Sequence, residues 1–283
     1  MARDPNAVRA VSRGVTERDV TRVTVESEQR VRDDVVIEEP LEIRVDGEPL
    51  AVTMRTPGHD RELAAGFLFG EGVLHDRGEI GSISHCGRLG DEGYGNVIDM
   101  VSAPGARLAV ERLDASRRGS LTTASCGVCG RRTIDDLLAR CTNQVDPMRV
   151  RVDTILGAIE GMRAVQTVFQ RTGGLHAAGV FDAEGRARIV REDIGRHNAV
   201  DKATGAMLLE GALPAAGCML AVSGRASFEM VQKAVVAGLA VVVSVSAVSS
   251  LAIDLAAKTG TTLVGFARDG RMNIYAHDER VVR

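Results

Sequence analysis

The stretch Cys218-Met219-Leu220-Ala221-Val222-Ser223-Gly224-Arg225-Ala226-Ser227-Phe228-Glu229-Met230-Val231-Gln232-Lys233, continued by Leu239-Ala240-Val241-Val242-Val243-Ser244-Val245, decides the architecture of this chain. A short apolar run gives way to a small-residue turn, then to a helix-period segment, then to a β-branched run. The spacing predicts a strand over 218–222, a helix over 227–236 and a strand over 239–245. Neither run alternates, which is the pattern of strands covered on both faces. The window 234–252 carries no charge, but Gly238 and four serines interrupt it. It reads as helix end, turn and buried strand, and no membrane insertion is expected.

Working outward, a helix is predicted over 248–258, with closing strands at 262–266 and 272–275. Upstream, strand-like runs lie at 165–169 and 173–181. A turn at 182–185, a strand at 187–190 and a helix from near Asp193 past Lys202 follow. Strands alternating with helices define an α/β sandwich over 148–283.

The first half differs. Leu41-Glu42-Ile43-Arg44-Val45, Asp46-Gly47 and Leu50-Ala51-Val52-Thr53-Met54 form a hairpin pattern. Asp60 is placed to cap a helix running to about Phe69. Further strands are predicted at 80–84, 95–101 and 107–112. The fold class is therefore α/β (α+β): a small β-rich domain with one helix at 31–113 and a larger α/β domain at 148–283. A flexible N-terminal tail is expected over 1–30. Residues 114–147 are read as the loop that holds Cys126 and Cys129 and a following helix over about 133–140, with Pro147 as a boundary.

Composition narrows the function. The 283 residues are 45% hydrophobic and 3% aromatic, with no Trp, so aliphatic side chains build the core. A formal net charge of −3 argues against bulk nucleic-acid binding. Five cysteines (86, 126, 129, 141 and 218) are sparse and odd in number, which points away from a disulfide scaffold and to a reducing compartment. The charged N-terminus has no apolar segment, so no signal peptide is expected.

Four stretches can carry chemistry. Ser125-Cys126-Gly127-Val128-Cys129-Gly130 sets two thiols three residues apart among small residues. Such a pair is half a zinc site, a redox dithiol or a carrier of sulfur on a thiolate. No second C-x-x-C and no H-x₃₋₅-H completes a zinc site, and none is expected. Arg117, Arg118, Arg131 and Arg132 flank the pair and would favour a thiolate, or simply form a solvated face. In Glu192-Asp193-Ile194-Gly195-Arg196-His197-Asn198-Ala199-Val200-Asp201-Lys202, a strand end meets a helix start, which attracts anions. Ser223 to Lys233 repeats that pattern with Arg225 and Lys233. Phe266-Ala267-Arg268-Asp269-Gly270-Arg271 is a hairpin turn whose arginines could hold phosphates. His176, amid Leu175, Ala177 and Ala178, reads as a core histidine.

These motifs, in this order, resemble the FdhD/NarQ family from about residue 35 to the C-terminus. The resemblance implies a cytoplasmic sulfurtransferase needed for formate dehydrogenase activity. A cysteine desulfurase would load a persulfide on Cys126, with Cys129 as partner thiol. The sulfur would pass to a bis-molybdopterin guanine dinucleotide, carrying Mo or W, which goes on to apo-formate dehydrogenase. The family's cofactor-binding turn matches Phe266, Ala267, Arg268, Asp269, Gly270 and Arg271. Arg196, His197, Arg225 and Lys233 are further candidates. The resemblance also implies a homodimer and a larger domain similar to the cytidine deaminase fold. Zinc deaminases carry H-x-E before P-C-x-x-C. Here Ala178 stands where the Glu would be, and the cysteines precede the histidine, so deaminase chemistry is not expected. The rival reading is a non-catalytic chaperone of the cofactor with structural cysteines.

Overall fold

The computed structural model describes residues 14–88, 94–106, 108–110 and 146–283. A six-stranded sheet organises the second half. Its strands are β8 (His176–Asp182), β9 (Ala187–Asp193), β10 (Cys218–Val222), β11 (Val241–Ser244), β12 (Thr262–Arg268) and β13 (Arg271–Ala276). They lie in the order β13-β12-β11-β10-β8-β9. β10, β11 and β12 are parallel; β8, β9 and β13 complete the sheet antiparallel. The carboxyl ends of β10, β11 and β12 therefore share one edge with the start of β8.

Helices cover both faces, as the unalternating runs require. On β10, Cys218, Leu220 and Val222 enter one core cluster, and Met219 and Ala221 enter the other. Helix α2 (Val152–Ala164), which follows the short strand β7 (Val150–Arg151), closes the second face with Ile155, Ala158, Ile159 and Met162. Helices α4 (Arg196–Leu209), α5 (Phe228–Val236) and α6 (Ser250–Thr259) close the first. The uncharged 234–252 window is the end of α5, then β11, then the turn into α6. Among the described residues no helix is long and apolar enough to cross a membrane.

The N-terminal half adds a four-stranded sheet in the order β4-β3-β6-β5. Its strands are β3 (Glu39–Val45), β4 (Glu48–Arg55), β5 (Ile80–His85) and β6 (Val97–Ser102). Asp46 (φ 51°) and Gly47 (φ 83°) make the hairpin turn that the Asp-Gly pair predicts. Helix α1 (Asp60–Gly70) packs between this sheet and α4. The two halves share one core cluster, which runs from Leu41 and Ile43 to Leu255 and Leu263.

α1 and α4 touch backbone to backbone. A β-carbon on Gly66 would lie 1.9 Å from the Asp201 carbonyl oxygen, and one on Gly205 would lie 1.9 Å from the Glu62 carbonyl oxygen. Only glycine at both positions admits this crossing. Because α4 is sandwiched, it is buried from Asn198 to Leu208, including Asp201, Lys202 and Thr204. Buried polar groups of this kind need partners. Lys202 Nζ sits 2.6 Å from Asp193 Oδ2 and donates to the Thr56 carbonyl at 2.8 Å. Asn198 Nδ2 donates to the Met54 carbonyl at 2.8 Å. These bonds fix the end of β4 to the start of α4.

Several local expectations change. The tail expected over 1–30 is a strand from Val15. β1 (Val15–Val23) pairs antiparallel with β2 (Glu28–Val36), with Arg18 opposite Asp33 and Asp19 opposite Arg32. The charges that read as disorder are cross-strand partners. Residues 165–169 are not a strand: α3 (Thr167–Thr172) forms there, and the Glu192 carboxylate accepts from the amides of Val168 and Phe169. The helix expected near Asp193 starts at Arg196, because Asp193 belongs to β9. Asp60 does not cap α1. It is the first helical residue and its carboxylate binds Arg55 at 3.1 Å, leaving His59 (φ 58°) as N-cap. Residues 108–110 are in no strand. The helix predicted over 133–140 lies outside the described residues.

Candidate functional site

The edge at the carboxyl ends of β10, β11 and β12 gathers most of the predicted site residues. Three segments meet there: the loop 223–227 after β10, the loop 245–249 after β11, and the end of β12 from Phe266 with the 269–270 turn that follows it. Backbone and hydroxyl bonds tie them together. Ser244 Oγ donates to the Gly224 carbonyl at 2.7 Å, and the Phe266 amide donates to the Ser246 carbonyl at 2.9 Å. The Ala226 amide donates to the Ala247 carbonyl at 3.1 Å. In parallel α/β sheets, ligands bind in this crevice beyond the strand ends.

The Phe266–Arg271 turn is built from two unusual backbone positions. Asp269 (φ 53°) and Gly270 (φ 72°) make the tight hairpin turn, as the sequence predicts. Phe266 also has a positive φ, 52°, an outlier for a bulky residue, beside a register shift between Gly265 and Arg268. The Ser246 bond and the burial of Ala267 hold it there. The result aims two exposed arginines outward. The Arg268 guanidinium lies 5.9 Å from the centre of the Phe266 ring, and its Nε is 3.9 Å from Asp269.

At the other side of the edge, β8, the start of α4 and the 223–227 loop meet. His176 pairs with Asp193 in the β8–β9 register. Its ring lies 3.3 Å from where a Gly224 β-carbon would be, and Arg196 Cβ is 3.6 Å from the same point. Ser223 Oγ accepts from the Ala177 amide at 2.9 Å and so does not cap α5. Ser227 is the N-cap, and its Oγ donates to the Glu229 carboxylate at 3.5 Å instead of accepting from a helix amide. Burial pushes the His176 imidazole below the usual histidine range, and the nearby charges of Arg196, His197 and Arg225 push the same way against Asp193. His176 is half-buried at the loop edge, so it is not the core histidine the flanking alanines suggest.

Two candidates serve a different purpose. His197 Nε2 is 2.7 Å from Glu229 Oε2, and Lys233 Nζ is 2.6 Å from Asp201 Oδ1. His197 and Asp201 are one turn apart on α4, as Glu229 and Lys233 are on α5. They form a ladder that clamps α4 to α5. Lys233 is buried and faces Gly70, away from the loop edge. Burial raises the Asp201 carboxyl against the pull of Lys233. Arg196 and Arg225 remain. Among the described residues no acidic side chain pairs with either, and Arg196 Nε is buried without a hydrogen-bond partner. Cys126 and Cys129 lie outside the described residues.

Sequence reasoning missed the supporting network. Asp193 accepts from the amides of Thr56 and Gly195 and from Asn198 Nδ2. Its burial between the two halves is invisible in a local motif. The signal available was a charged pair nine positions apart, Asp193 at the end of β9 and Lys202 within α4.

This is an α/β protein with a cation-rich loop edge beyond its parallel strands. A family model described as FdhD/NarQ family matches residues 36–282. The chain belongs to that family. It is 52% identical over 257 residues to Sulfur carrier protein FdhD of Anaeromyxobacter dehalogenans (strain 2CP-C), covering 89% of each chain. It is 49% identical over 254 residues to the protein of that name from Streptomyces avermitilis, covering 88% of this chain and 89% of the other. The crystal structure of a candidate formate dehydrogenase accessory protein from Desulfotalea psychrophila superposes with a TM-score of 0.75 at 24% identity. It covers 95% of this chain and 100% of that one, and at that identity it supports the fold alone.

Proposed function

We propose that this protein is a sulfur carrier that delivers sulfur to a bis-molybdopterin guanine dinucleotide destined for formate dehydrogenase. The observation that carries the reading is 52% and 49% identity, over nearly nine-tenths of the chain, to proteins named for sulfur carriage, in a chain whose sequence holds Cys126 and Cys129. The loop edge suits a phosphate-bearing cargo. Arg268 and Arg271 are exposed on a fixed turn, and Arg196 and Arg225 lack acidic partners among the described residues. Phe266 offers a ring face for a base.

In the first step, Cys126 Sγ attacks the outer sulfur of a desulfurase persulfide. A new S–S bond forms and the desulfurase cysteine leaves as thiolate, with no net redox change. Release as sulfide takes two electrons. The Cys129 thiolate attacks Cys126 Sγ, the two cysteines form a disulfide, and the outer sulfur leaves with the bonding pair. A cellular dithiol then resets the pair. The cargo is the acceptor of that sulfur. The protein would work in the cytoplasm as a homodimer, with a cysteine desulfurase and apo-formate dehydrogenase as partners.

Intact mass after incubation with a cysteine desulfurase and cysteine tests the reading. A one-sulfur adduct is expected on the wild type and none on Cys126→Ala. An adduct that persists in Cys126→Ala, or none on the wild type, favours a cofactor chaperone without sulfur transfer.

A further inference from the structure

We propose that Ser244 is a positioning residue for the loop edge. Its buried hydroxyl holds the Arg225 loop and the Phe266–Arg271 turn in one arrangement, and it acts on a phosphate-bearing ligand through them without touching it. This role rests on the reading of the loop edge as the binding edge and adds the residue that keeps that edge in shape.

β11 needs no hydroxyl for its packing. Val241 and Val243 enter one core cluster and Val242 the other, and Val245 continues the run. Ser244 ends the strand and is fully buried. A buried hydroxyl is costly unless it is bonded. The partners of this one are loop backbone, not sheet. Its Oγ donates to the Gly224 carbonyl at 2.7 Å, accepts from the Ser246 amide at 3.1 Å and lies 3.0 Å from the Ser246 carbonyl oxygen.

From these two residues the constraint passes to the arginines. Gly224 directly precedes Arg225, and its backbone is closely seated: a β-carbon there would lie 3.3 Å from His176 Nδ1 and 3.6 Å from Arg196 Cβ. The Ser246 carbonyl accepts from the Phe266 amide at 2.9 Å, where φ is 52°. A bulky residue keeps such a backbone only where its surroundings over-determine it. Gly265 is hemmed in beside it, since a β-carbon there would lie 2.9 Å from Val248 Cγ1 and 3.0 Å from Tyr275 Cε2. Ala267 is buried next, and Arg268 is the first side chain beyond it to reach solvent. One hydroxyl therefore joins two arginine-bearing segments that follow different strands.

Guanosine diphosphate is the probe, titrated calorimetrically into the full chain. Ser244→Ala, or the similarly sized Ser244→Cys if the alanine variant does not fold, should weaken it about tenfold, the scale of one hydrogen bond. Ser244→Thr keeps the hydroxyl and should bind as the wild type does, even where its added methyl lowers the urea midpoint. Adding Ser244→Ala to Arg268→Ala should cost less than the product of the two single losses, because the serine acts through the turn. Amide hydrogen exchange reads the same effect without ligand. In Ser244→Ala the Phe266 amide should lose about tenfold more protection than the Val242 amide within β11. A role confined to stability would lower the urea midpoint and the protection of both amides alike, with guanosine diphosphate affinity unchanged. That result, or losses for Ser244→Ala and Arg268→Ala that multiply in full, overturns the proposal alone. A wild type that binds no guanosine diphosphate overturns the binding-edge reading and the proposal together.

Discussion

Gly205→Ala sets two magnitudes against each other. Alanine is the better helix former, by about 1 kcal/mol in a helix interior. At position 205 its β-carbon would lie 1.9 Å from the Glu62 carbonyl oxygen and 2.7 Å from the Gly66 amide nitrogen. Set against a normal contact of about 3.5 Å, the approach is roughly 1.6 Å too close. Both obstructing atoms are helix backbone, so no side chain can swing aside. Overpacking that side chains can absorb costs about 1–3 kcal/mol, and this site belongs at or above the upper end. The net expectation is a loss of about 2 kcal/mol or more, after the propensity gain is subtracted. Gly157→Ala in α2 is the control, because nothing lies within 4 Å of its added β-carbon. It should be neutral or stabilising by up to about 1 kcal/mol. Urea denaturation followed by circular dichroism reads both. Gly66→Ala, on the other side of the same contact, should resemble Gly205→Ala, and the double variant should cost less than the sum. A Gly205→Ala protein as stable as the wild type would refute the backbone-contact account of the α1–α4 crossing.

Two further outcomes follow from the buried charges. Asp193→Asn leaves the Lys202 ammonium, 1% exposed, without its counter-charge, and should cost about 3–5 kcal/mol in denaturant melts. Adding Lys202→Met should recover part of that loss, and no recovery would show that Asp193 acts through its amide contacts instead. For Glu62, burial opposes ionisation, but hydrogen bonds from Arg191 and His59 outweigh it and hold the carboxyl down at about 2. Its folded value is below its unfolded one, so the stability it adds is present above the ordinary carboxylate range and is lost as pH falls toward about 2. The shift corresponds to about 3 kcal/mol, which solvent access to the pair reduces to about 1.5. Glu62→Gln should flatten the acid limb of the stability profile by that amount between about pH 4 and 2, read from urea midpoints; an unchanged limb would assign the acid sensitivity to other carboxylates.

Local chemistry explains what could be read in advance. The Asp-Gly turns at 46–47 and 269–270 are fixed by residues that tolerate positive φ. The strands at 218–222 and 241–244 follow from unbroken apolar runs, and α5 from its period. Where a side chain outside the segment supplied the decisive bond, the sequence misled. Glu192 binds the amides of Val168 and Phe169 where a strand was expected over 165–169 and a helix begins at Thr167, and Arg55 took Asp60 from the helix cap. Cross-strand charge pairs made a hairpin of residues that looked like a flexible tail.

The sequence alone determined the α/β class, the order of the motifs and the candidacy of the Phe266–Arg271 turn, because propensity, period and turn chemistry act over a few residues. It could nominate Arg196, His197, Arg225 and Lys233 as cations beside helix starts, but it could not sort them. Only the tertiary structure decided that His197 and Lys233 are spent on Glu229 and Asp201, while Arg196 and Arg225 lack acidic partners among the described residues. The reason is that neutralisation is a property of contacts thirty-two positions apart in the chain, set by how α4 and α5 pack on one sheet.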